Sequence, residues 1–173
     1  MFEALGRDNM DTTSSSAGQM DGLRHAFRWV NKFMVFMWKI GMGRMLNFWP
    51  AGIGRIMVIK HTGRKSGKVR LAPVNYAPVD GEIYCTAGFG SGSDWYRNIM
   101  AAPEVELWLP EGKFPARAED VSDCPQRMPL LRQVLIASGF AARMVGVDPR
   151  GSSDEKLAAL TSDYRLVHFA REK

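Results

Sequence analysis

The residues best suited to chemistry in this sequence lie in one short turn, HTGRKSGKVR at residues 61–70. A serine and four cations crowd around its two glycines: Arg64, Lys65, Ser66, Lys68 and Arg70. A β-hairpin needs only two or three turn residues, so its formation does not require these charges. Guanidinium and ammonium groups bind phosphates and carboxylates, and glycine lets the backbone approach a ligand closely. The turn is therefore either a solvated charged loop or an anion-binding site.

A second glycine-rich stretch, TAGFGSGSDWYRN at residues 86–98, would complete such a site. Ser93 or Asp94 is expected to cap a helix here, and a helix N-terminus carries N–H groups that favour anions. The glycines would let the backbone lie against a flat ligand. Trp95 and Tyr96, at the start of this helix, are either core anchors or contacts to a ring.

Patterns of apolar residues predict that these two stretches connect β-strands. RIMVIK (55–60) and VRLAPVNYA (69–77) flank the basic turn, and Pro73 places the second strand near an edge or a bulge. Further strands are expected within APVDGEIYCTAG, EVELWLPEGKFPARAEDV and DYRLVHFARE, and helices within CPQRMPLLRQVLIASGFAARMV and DPRGSSDEKLAAL. This order predicts an α+β fold, a small, mainly antiparallel barrel with inserted helices.

The segment before the barrel is predicted to form an amphipathic helix over residues 21–48. Apolar residues recur there at three- and four-residue steps, while cations interrupt the run too often for a transmembrane span. Two interpretations stay open: the helix packs on the barrel, or it lies on a membrane surface. Residues 1–20 are polar and serine-rich, so a disordered tail is expected before a single domain at residues 21–173.

The composition bounds the function without selecting it. The 173 residues suit one domain, and 46% of them are hydrophobic, which is enough for a core. The net charge of +5 suits an acidic small molecule, an anionic lipid or nucleic acid. The two cysteines and three histidines are scattered, so no metal site is expected. With no leader segment evident, we expect a cytoplasmic protein, either free or peripheral on the inner face of the cell membrane.

In their order along the chain, the two glycine-rich blocks resemble the deazaflavin-dependent nitroreductase and quinone reductase family. The first block, TGRKSG-x-x-R-x-x-P-x-x-Y, is carried here by residues 62–76. The second, W-Y-x-N-[LI] followed by alanine, proline and valine, is carried by residues 95–105. The resemblance covers residues 50–122 well and the last strand loosely. It implies a split β-barrel related to the flavin-binding pyridoxamine-phosphate oxidases.

The resemblance also implies a cofactor, coenzyme F-420, a deazaflavin whose phospholactyl-polyglutamate arm is anionic. The basic turn would hold that arm, and backbone near residues 86–89 would face the deazaflavin ring, beside Trp95 and Tyr96. The cofactor-binding residues implied in this way are Arg64, Lys65, Ser66, Gly67, Arg70, Pro73, Thr86, Ala87, Gly88, Phe89, Trp95 and Tyr96. Because the reduced coenzyme itself gives up a hydride, the protein need only bind, orient and exclude water, and no catalytic side chain is identified.

The activity implied by the resemblance is reduction of a lipophilic acceptor, such as a quinone, a nitroaromatic or an unsaturated compound. The loop GFGSGSDWY departs from the family, because it is shorter than the usual loop and lacks its lysine. Phe140 and Tyr164 are the candidates here for the family's pocket-lining tyrosines, and Asn75 stands where an aromatic residue can occur. These departures make the cofactor better specified than the acceptor.

The sequence leaves other functions and partners open beside a deazaflavin-dependent reductase. The same barrel could bind FMN instead of the deazaflavin, or the protein could be a non-catalytic binder of flavin or anionic lipid. Nucleic acid is not expected, because the aromatic residues do not alternate with cations along one strand face. Membrane contact through residues 21–48 stays open on the amphipathic pattern described above, and pairing into a homodimer is expected by analogy with related barrels.

Overall fold

Segments with alternating apolar residues form the β-strands of a barrel. The structure is a computed structural model that describes residues 32–43, 54–139, 142 and 146–171. Its strands are β1 (Ile56–Thr62), β2 (Val69–Val79), β3 (Glu82–Ala87), β4 (Glu104–Leu109), β5 (Gly112–Asp120) and β6 (Arg165–Arg171). All pairs are antiparallel, and β1 pairs with both β2 and β4, which closes a barrel in the order β1-β2-β3-β6-β5-β4. The predicted split β-barrel, an α+β fold, is therefore confirmed.

The barrel interior is filled by alternate side chains of the strands, because side chains two positions apart share a face. Ile83, Cys85 and Ala87 of β3 all lie in one buried core cluster. Leu107 of β4 and Phe169 of β6 lie in the same cluster and have no exposed surface. Burial of each large apolar side chain stabilises the fold by about 1.5–3 kcal/mol. This packed interior makes the barrel a firm support for the loops at its ends.

Pro73 occupies a part of β2 that has a neighbouring strand on one side only. It pairs with Val58 of β1, whereas the pairing of β2 with β3 begins at Tyr76. Proline has no backbone N–H and cannot donate a hydrogen bond to a neighbouring strand, so it is confined to such strand edges. Pro115 of β5 is placed similarly, because pairing with β6 begins at Ala116. The β1–β2 hairpin thus extends past the fully paired strands and carries the basic turn at its tip.

Helix α1 (Asp94–Ala101) covers the end of the barrel that carries the basic turn. It connects the end of β3 to the start of β4, after a 3-10 turn at Gly90–Gly92. Ser93 precedes the helix, but its side chain makes no capping hydrogen bond. Tyr96 and Ile99 of α1 belong to the barrel core cluster. Their burial fixes the position of the helix, and with it the side chains that α1 presents to the basic turn.

Of two further helices, the first packs on the outside of the barrel and the second packs against the first. They are α2 (Arg127–Ala137) and α3 (Asp154–Leu160). Val134 of α2 packs against Leu166 of β6, and Leu131 packs against Leu157 of α3. Helix α3 is capped, because the Ser153 side chain accepts a hydrogen bond from the N–H of Lys156 at 3.3 Å. Both helices agree with the sequence prediction.

The chain before the barrel is helical over residues 32–39. Trp38 is buried against Val58 of β1 and Trp108 of β4, so this segment contacts the outer face of the barrel. Residues 21–31 and 44–48 of the predicted N-terminal helix, and the predicted tail at residues 1–20, lie outside the described residues. Among the helices that the structure describes, none has the length and apolar character needed to cross a membrane.

Candidate functional site

The basic turn is a tight loop closed by its own backbone. The N–H of Gly63 donates to the Lys68 carbonyl at 2.9 Å. The N–H groups of Ser66 and Gly67 both donate to the Gly63 carbonyl, at 3.1 and 2.8 Å. Gly67 has a φ of +63°, a left-handed conformation that costs glycine little. Because these N–H groups are bonded within the loop, an anion at this turn must be held mainly by side chains.

The side chains of the turn line a cleft of about 410 Å³ between the β1–β2 hairpin and α1. Its wall includes three cations, one carboxylate, a hydroxyl and an indole, namely Arg64, Lys65, Arg70, Asp94, Ser66 and Trp95. The volume lies within the range of small-molecule binding sites. The structure thus brings together five residues of the predicted set, Arg64, Lys65, Ser66, Arg70 and Trp95.

The charge and shape of this cleft suit a ligand that combines a ring with an anionic arm. Arg70 can grip a phosphate or carboxylate through two parallel N–H donors, and Lys65 adds a compact positive charge. Trp95 packs partly against the barrel core while it also lines the cleft. Its ring stands edge-on to that of Tyr96, with centroids 6.3 Å apart. Fixed cations therefore lie beside a flat apolar wall.

His61 is a cleft residue that the sequence analysis did not select. It lies directly opposite Arg70 in the β1–β2 register and is only 5% exposed. Burial lowers the pKa of His61 from its usual 6.5, the contact with the Thr62 carbonyl partly offsets this, and the charge of Arg70 lowers the pKa further. The imidazole is therefore neutral at pH 7 and adds no charge to the cleft.

Arg64 is held by two residues of α1. The Asn98 side-chain oxygen accepts from the backbone N–H of Arg64 at 3.1 Å and from its Nη1 at 2.9 Å. The Nη2 of Arg64 lies 3.1 Å from the Asp94 carboxylate. Asn98 is buried, whereas the Asp94 side chain is 85% exposed. The guanidinium of Arg64 is thus engaged by the protein itself, and its role in binding an anion stays a prediction.

Tyr96 serves the barrel core rather than the cleft wall. It is buried, and its O–H donates to the Asp120 carboxylate at the end of β5. Asp120 also accepts from the N–H of Ser122 at 2.8 Å. Burial, together with the hydrogen bond and charge of Asp120, raises the pKa of Tyr96 to about 12. Of the two alternatives for this residue, core anchor or ring contact, the structure supports the core anchor.

The remaining predicted residues lie near the cleft without lining it. Thr86 and Ala87 end β3, and Ala87 is buried in the barrel core. Gly88 is exposed and close to Tyr164, since a Cβ atom added there would lie 3.5 Å from the Tyr164 ring. Phe89 is 83% exposed. These residues lie at the same barrel end as the basic turn, where Thr86, Gly88 and Phe89 have accessible surface and Ala87 is buried.

Gly67 and Pro73 affect the shape of the site through the backbone conformation described above. The three candidates for the substrate pocket, Asn75, Phe140 and Tyr164, lie in different surroundings. Tyr164 is half-buried and packs beside the cluster between α2 and α3. The side-chain amide of Asn75 donates to the Arg55 carbonyl at 3.2 Å. Phe140 lies outside the described residues.

Asn98 and His61 were not selected from the sequence, and they differ in whether the sequence could have indicated their place in the site. Asn98 belongs to the W-Y-x-N block, so its spacing after Trp95 could have suggested a role in the site. His61 gave no such signal, because its place in the cleft depends on its register with Arg70. Register follows from the loop conformation and from long-range packing, which the spacing of residues does not reveal.

The model of the family described as F-420H(2)-dependent quinone reductase matches residues 34–150. No match is found among curated protein sequences.

Solved structures similar to this one include a conserved hypothetical protein of Mycobacterium tuberculosis, with 21% identity and a TM-score of 0.49 over 69% of this chain and 74% of that one. A reductase dependent on the reduced coenzyme F-420 is 19% identical, with a TM-score of 0.48 over 67% of this chain and 93% of its own. A heme storage protein of Vibrio cholerae is 12% identical, with a TM-score of 0.46 over 69% and 82% of the two chains.

The family match is the informative comparison, because it extends over most of the chain. It includes the basic turn, α1 and all strands of the barrel except β6. The chain therefore belongs to the F-420H(2)-dependent quinone reductase family and is an oxidoreductase that uses coenzyme F-420.

Proposed function

We propose that this reductase passes a hydride from the reduced coenzyme to a lipophilic acceptor, and that the basic cleft holds the coenzyme's anionic arm. The observation that carries the proposal is the meeting of Lys65, Arg70 and Trp95 around one cleft of about 410 Å³. Neither a solvated loop nor a simple hairpin turn requires cations to face an indole across a cleft. A ligand with an anionic arm and a flat ring accounts for both features.

The donors of the cleft fit the chemistry of that arm. Arg70 would hold a phosphate or carboxylate through paired N–H donors, Lys65 would add charge, and the Ser66 hydroxyl would complete the contact. The left-handed Gly67 lets the loop close, and Pro73 leaves the hairpin paired on one side only. An arm with one phosphate and several carboxylates would thus be held by side chains on a preformed loop.

The deazaflavin ring is proposed to lie at the same barrel end, between Trp95 and the backbone that follows β3. Thr86 is half-buried there, and Gly88 is exposed, so backbone is available to a flat ligand. When bound, the coenzyme supplies the hydride. The residues of the chain bind and orient the reactants and exclude water.

A lipophilic acceptor is favoured by two apolar side chains exposed at this end of the barrel, one in the connection after β3 and one at the start of β2. Phe89 is 83% exposed and Val69 is 64% exposed. A quinone is the first acceptor to test, because it appears in the description of the family. Nitroaromatics and unsaturated compounds are the other classes that we propose.

Turnover of the reduced coenzyme with a menadione-like quinone, a nitroaromatic and an enone tests the acceptor. We expect the quinone to accelerate oxidation of the coenzyme well above the rate without protein. Arg70→Gln should raise the KM for the coenzyme more than it lowers kcat, because Arg70 is assigned to binding. Tight coenzyme binding with no turnover on any acceptor would reject these acceptors and leave the coenzyme site intact.

FMN is the alternative cofactor for the same cleft, and direct competition separates the two. FMN carries a single terminal phosphate, so the cationic side chains of the cleft would make fewer contacts with it than with a polyglutamate arm. We expect coenzyme F-420 to bind in the presence of excess FMN. Displacement of the coenzyme by equimolar FMN would favour the alternative.

We also propose that the helical segment 32–39 lets this cytoplasmic enzyme rest on an anionic membrane surface. Phe33 and Phe36 are 58% and 56% exposed, and Ile40, just after the segment, is 49% exposed. Lys32 and Lys39 are exposed on the same short segment. Apolar and basic side chains together bind bilayers that carry anionic lipids. A membrane position would give the enzyme access to an acceptor dissolved in the bilayer.

Sedimentation with vesicles tests this contact. We expect binding to phosphatidylglycerol vesicles, weaker binding to phosphatidylcholine vesicles, and loss of binding in Phe33→Ser with Phe36→Ser. Leu160→Ser, which changes an apolar residue exposed on α3, is the matched control. No sedimentation together with a concentration-dependent dimer would instead assign the apolar surface to a homodimer.

A further inference from the structure

Arg64 stands between the basic turn and α1, and its contacts join them. Its backbone N–H and its Nη1 converge on one acceptor, the Asn98 side-chain oxygen, at 3.1 and 2.9 Å. Because the Asn98 side chain accepts from a backbone donor and a side-chain donor of Arg64, it fixes the position of the loop as well as that of the guanidinium. Arg64 is thus attached to the helix at two points before any ligand is considered.

The two helix residues that hold Arg64 differ in their surroundings. Asn98 is 7% exposed, and a hydrogen bond from a charged donor to a buried acceptor contributes strongly. The Asp94 carboxylate, 3.1 Å from Nη2, is 85% exposed, and exposed ion pairs contribute little. Asn98 is therefore the principal attachment, and Asp94 orients the far side of the guanidinium.

The rest of the loop depends on this attachment. Lys65 follows Arg64 directly, and Ser66 and Gly67 are bonded back to the Gly63 carbonyl. A Cβ atom added at Gly63 would lie 3.5 Å from Nε of Arg70, so the Arg70 side chain passes beside the loop. Movement of the loop away from α1 would displace both Lys65 and Arg70 from their places beside the cleft.

We propose that Asn98, assisted by Asp94, is a positioning residue for the coenzyme site, acting through Arg64. In this role Arg64 secures the loop, and Lys65 and Arg70 are the cations that contact the anionic arm. The inference rests on the proposed function for its link to the coenzyme, but not for the attachment of the loop. Asn98 therefore governs coenzyme affinity without touching the coenzyme.

The alternative is that Arg64 leaves the helix and grips the arm itself. The two possibilities differ in the dependence of binding on salt, because removal of a direct ionic contact weakens that dependence, whereas removal of a positioning contact does not. They also differ in the protein without coenzyme, where only the positioning role predicts a change in the loop.

Hydrogen exchange in the coenzyme-free protein tests the attachment directly. We expect the amides of Gly63, Ser66 and Gly67 to exchange about tenfold or more faster in Asn98→Ala and in Arg64→Gln than in the wild type. Met100→Ala, which changes a partly exposed residue on the same helix, should leave this exchange unchanged. Arg64 lies in the turn outside the barrel core, so Arg64→Gln keeps the test valid if the buried Asn98→Ala variant folds poorly.

Binding titrations of coenzyme F-420 over a series of salt concentrations test the link to the coenzyme. We expect Asn98→Ala and Arg64→Gln each to weaken binding about tenfold or more, with the wild-type salt dependence. The double variant should bind no more weakly than Arg64→Gln alone, because the two residues act as a unit. Arg70→Gln should weaken binding and also reduce the salt dependence.

The outcomes separate the inference from the proposed function. Unchanged loop exchange in both variants would overturn the positioning role, as would a salt dependence reduced as much in Arg64→Gln as in Arg70→Gln. If substitution of Lys65 and Arg70 left the affinity for the coenzyme at its wild-type value, the proposed arm site would be overturned. The link from Asn98 to the coenzyme would fall with it. Faster loop exchange would even then establish the attachment itself.

Discussion

His61 of β1 and Arg70 of β2 lie directly opposite each other in the hairpin, and both side chains line the cleft. Opposite residues of an antiparallel pair share a face of the sheet, so the imidazole and the guanidinium are close neighbours. A protonated His61 would place a second positive charge beside Arg70 in a buried position. The cleft thus has exposed positive charges on Lys65 and Arg70 and a buried, neutral imidazole on His61.

This arrangement predicts that His61 makes the protein less stable in mild acid. Burial lowers the pKa of His61 from 6.5, so the unfolded chain binds a proton at this residue at a higher pH than the folded chain. Stability therefore rises with pH through this interval. The stabilisation that the neutral, buried His61 gives the folded state is complete above a pH of 6.5 and is lost as the pH falls toward the pKa of His61 in the folded state.

Urea denaturation of the wild type and of His61→Asn, from about pH 7.5 to about pH 5, measures this contribution. We expect the free energy of unfolding to fall less with acidification in the variant. The difference between the two proteins isolates His61, since carboxylates elsewhere titrate equally in both. Parallel curves for the two proteins would contradict the assignment.

Removal of Lys65 and Arg70, the two cations proposed to hold the coenzyme arm, should abolish most coenzyme affinity without unfolding the barrel. Lys65 and Arg70 are exposed, so Lys65→Ala with Arg70→Ala leaves the core intact. Each lost charge-assisted hydrogen bond should weaken binding about tenfold or more. Isothermal titration with coenzyme F-420 gives the affinity, and a thermal melt checks the fold.

A matched control removes two exposed positive charges that do not line the cleft. Lys113 lies over the Trp108 ring, and Arg117 pairs with Glu104, both outside the cleft. Lys113→Ala with Arg117→Ala should leave coenzyme affinity within about twofold of the wild type, because distant exposed charges are screened. Equal losses in the two double variants would show that net charge, rather than the cleft, attracts the coenzyme.

The adjacent aromatic residues of α1 should respond to substitution in opposite ways. Tyr96→Phe removes the O–H that donates to Asp120 and should lower the free energy of unfolding by about 1–2 kcal/mol. Trp95→Leu removes the indole from the cleft wall and should weaken coenzyme binding more than Tyr96→Phe does. Chemical denaturation and coenzyme titration of both variants measure the contrast. A larger loss of affinity in Tyr96→Phe would contradict its place in the core.

Trp38 should anchor the N-terminal helical segment on the barrel. It is buried against Val58 and Trp108, so Trp38→Ala should lower stability by about 3 kcal/mol and release residues 32–43 to proteolysis. Its indole N–H has no hydrogen-bond acceptor among the described residues. Trp38→Phe should therefore cost much less than Trp38→Ala, because no hydrogen bond is lost. Equal losses in the two variants would argue against a packing role.

The sequence was most informative where one strand face decides the structure. The stretch APVDGEIYCTAG predicts a strand, and in the barrel its alternate residues Ile83, Cys85 and Ala87 share the buried face. The cationic turn was also recognisable, since its charges are concentrated within ten residues, 61–70. Local patterns of this kind survive in the folded chain because each strand has a buried and an exposed side.

The sequence was least informative where two distant segments meet. Arg64 was predicted as an anion-binding group, but Asn98 and Asp94, 34 and 30 positions later, engage its donors. The alternatives for Tyr96 could not be separated either, because the choice depends on how α1 rotates over the barrel end. Such contacts arise from docking of a helix on a sheet, and no local periodicity records them.

The most direct measurement of the central claim compares coenzyme F-420 with a deazaflavin that lacks the phospholactyl-polyglutamate arm. If the basic cleft holds the arm, the wild type should bind the complete coenzyme about 100-fold or more tightly than the truncated one. This preference should disappear in Lys65→Ala with Arg70→Ala. Equal affinity of the wild type for both molecules would contradict the account, since the cations of the cleft would then have no part in holding the coenzyme.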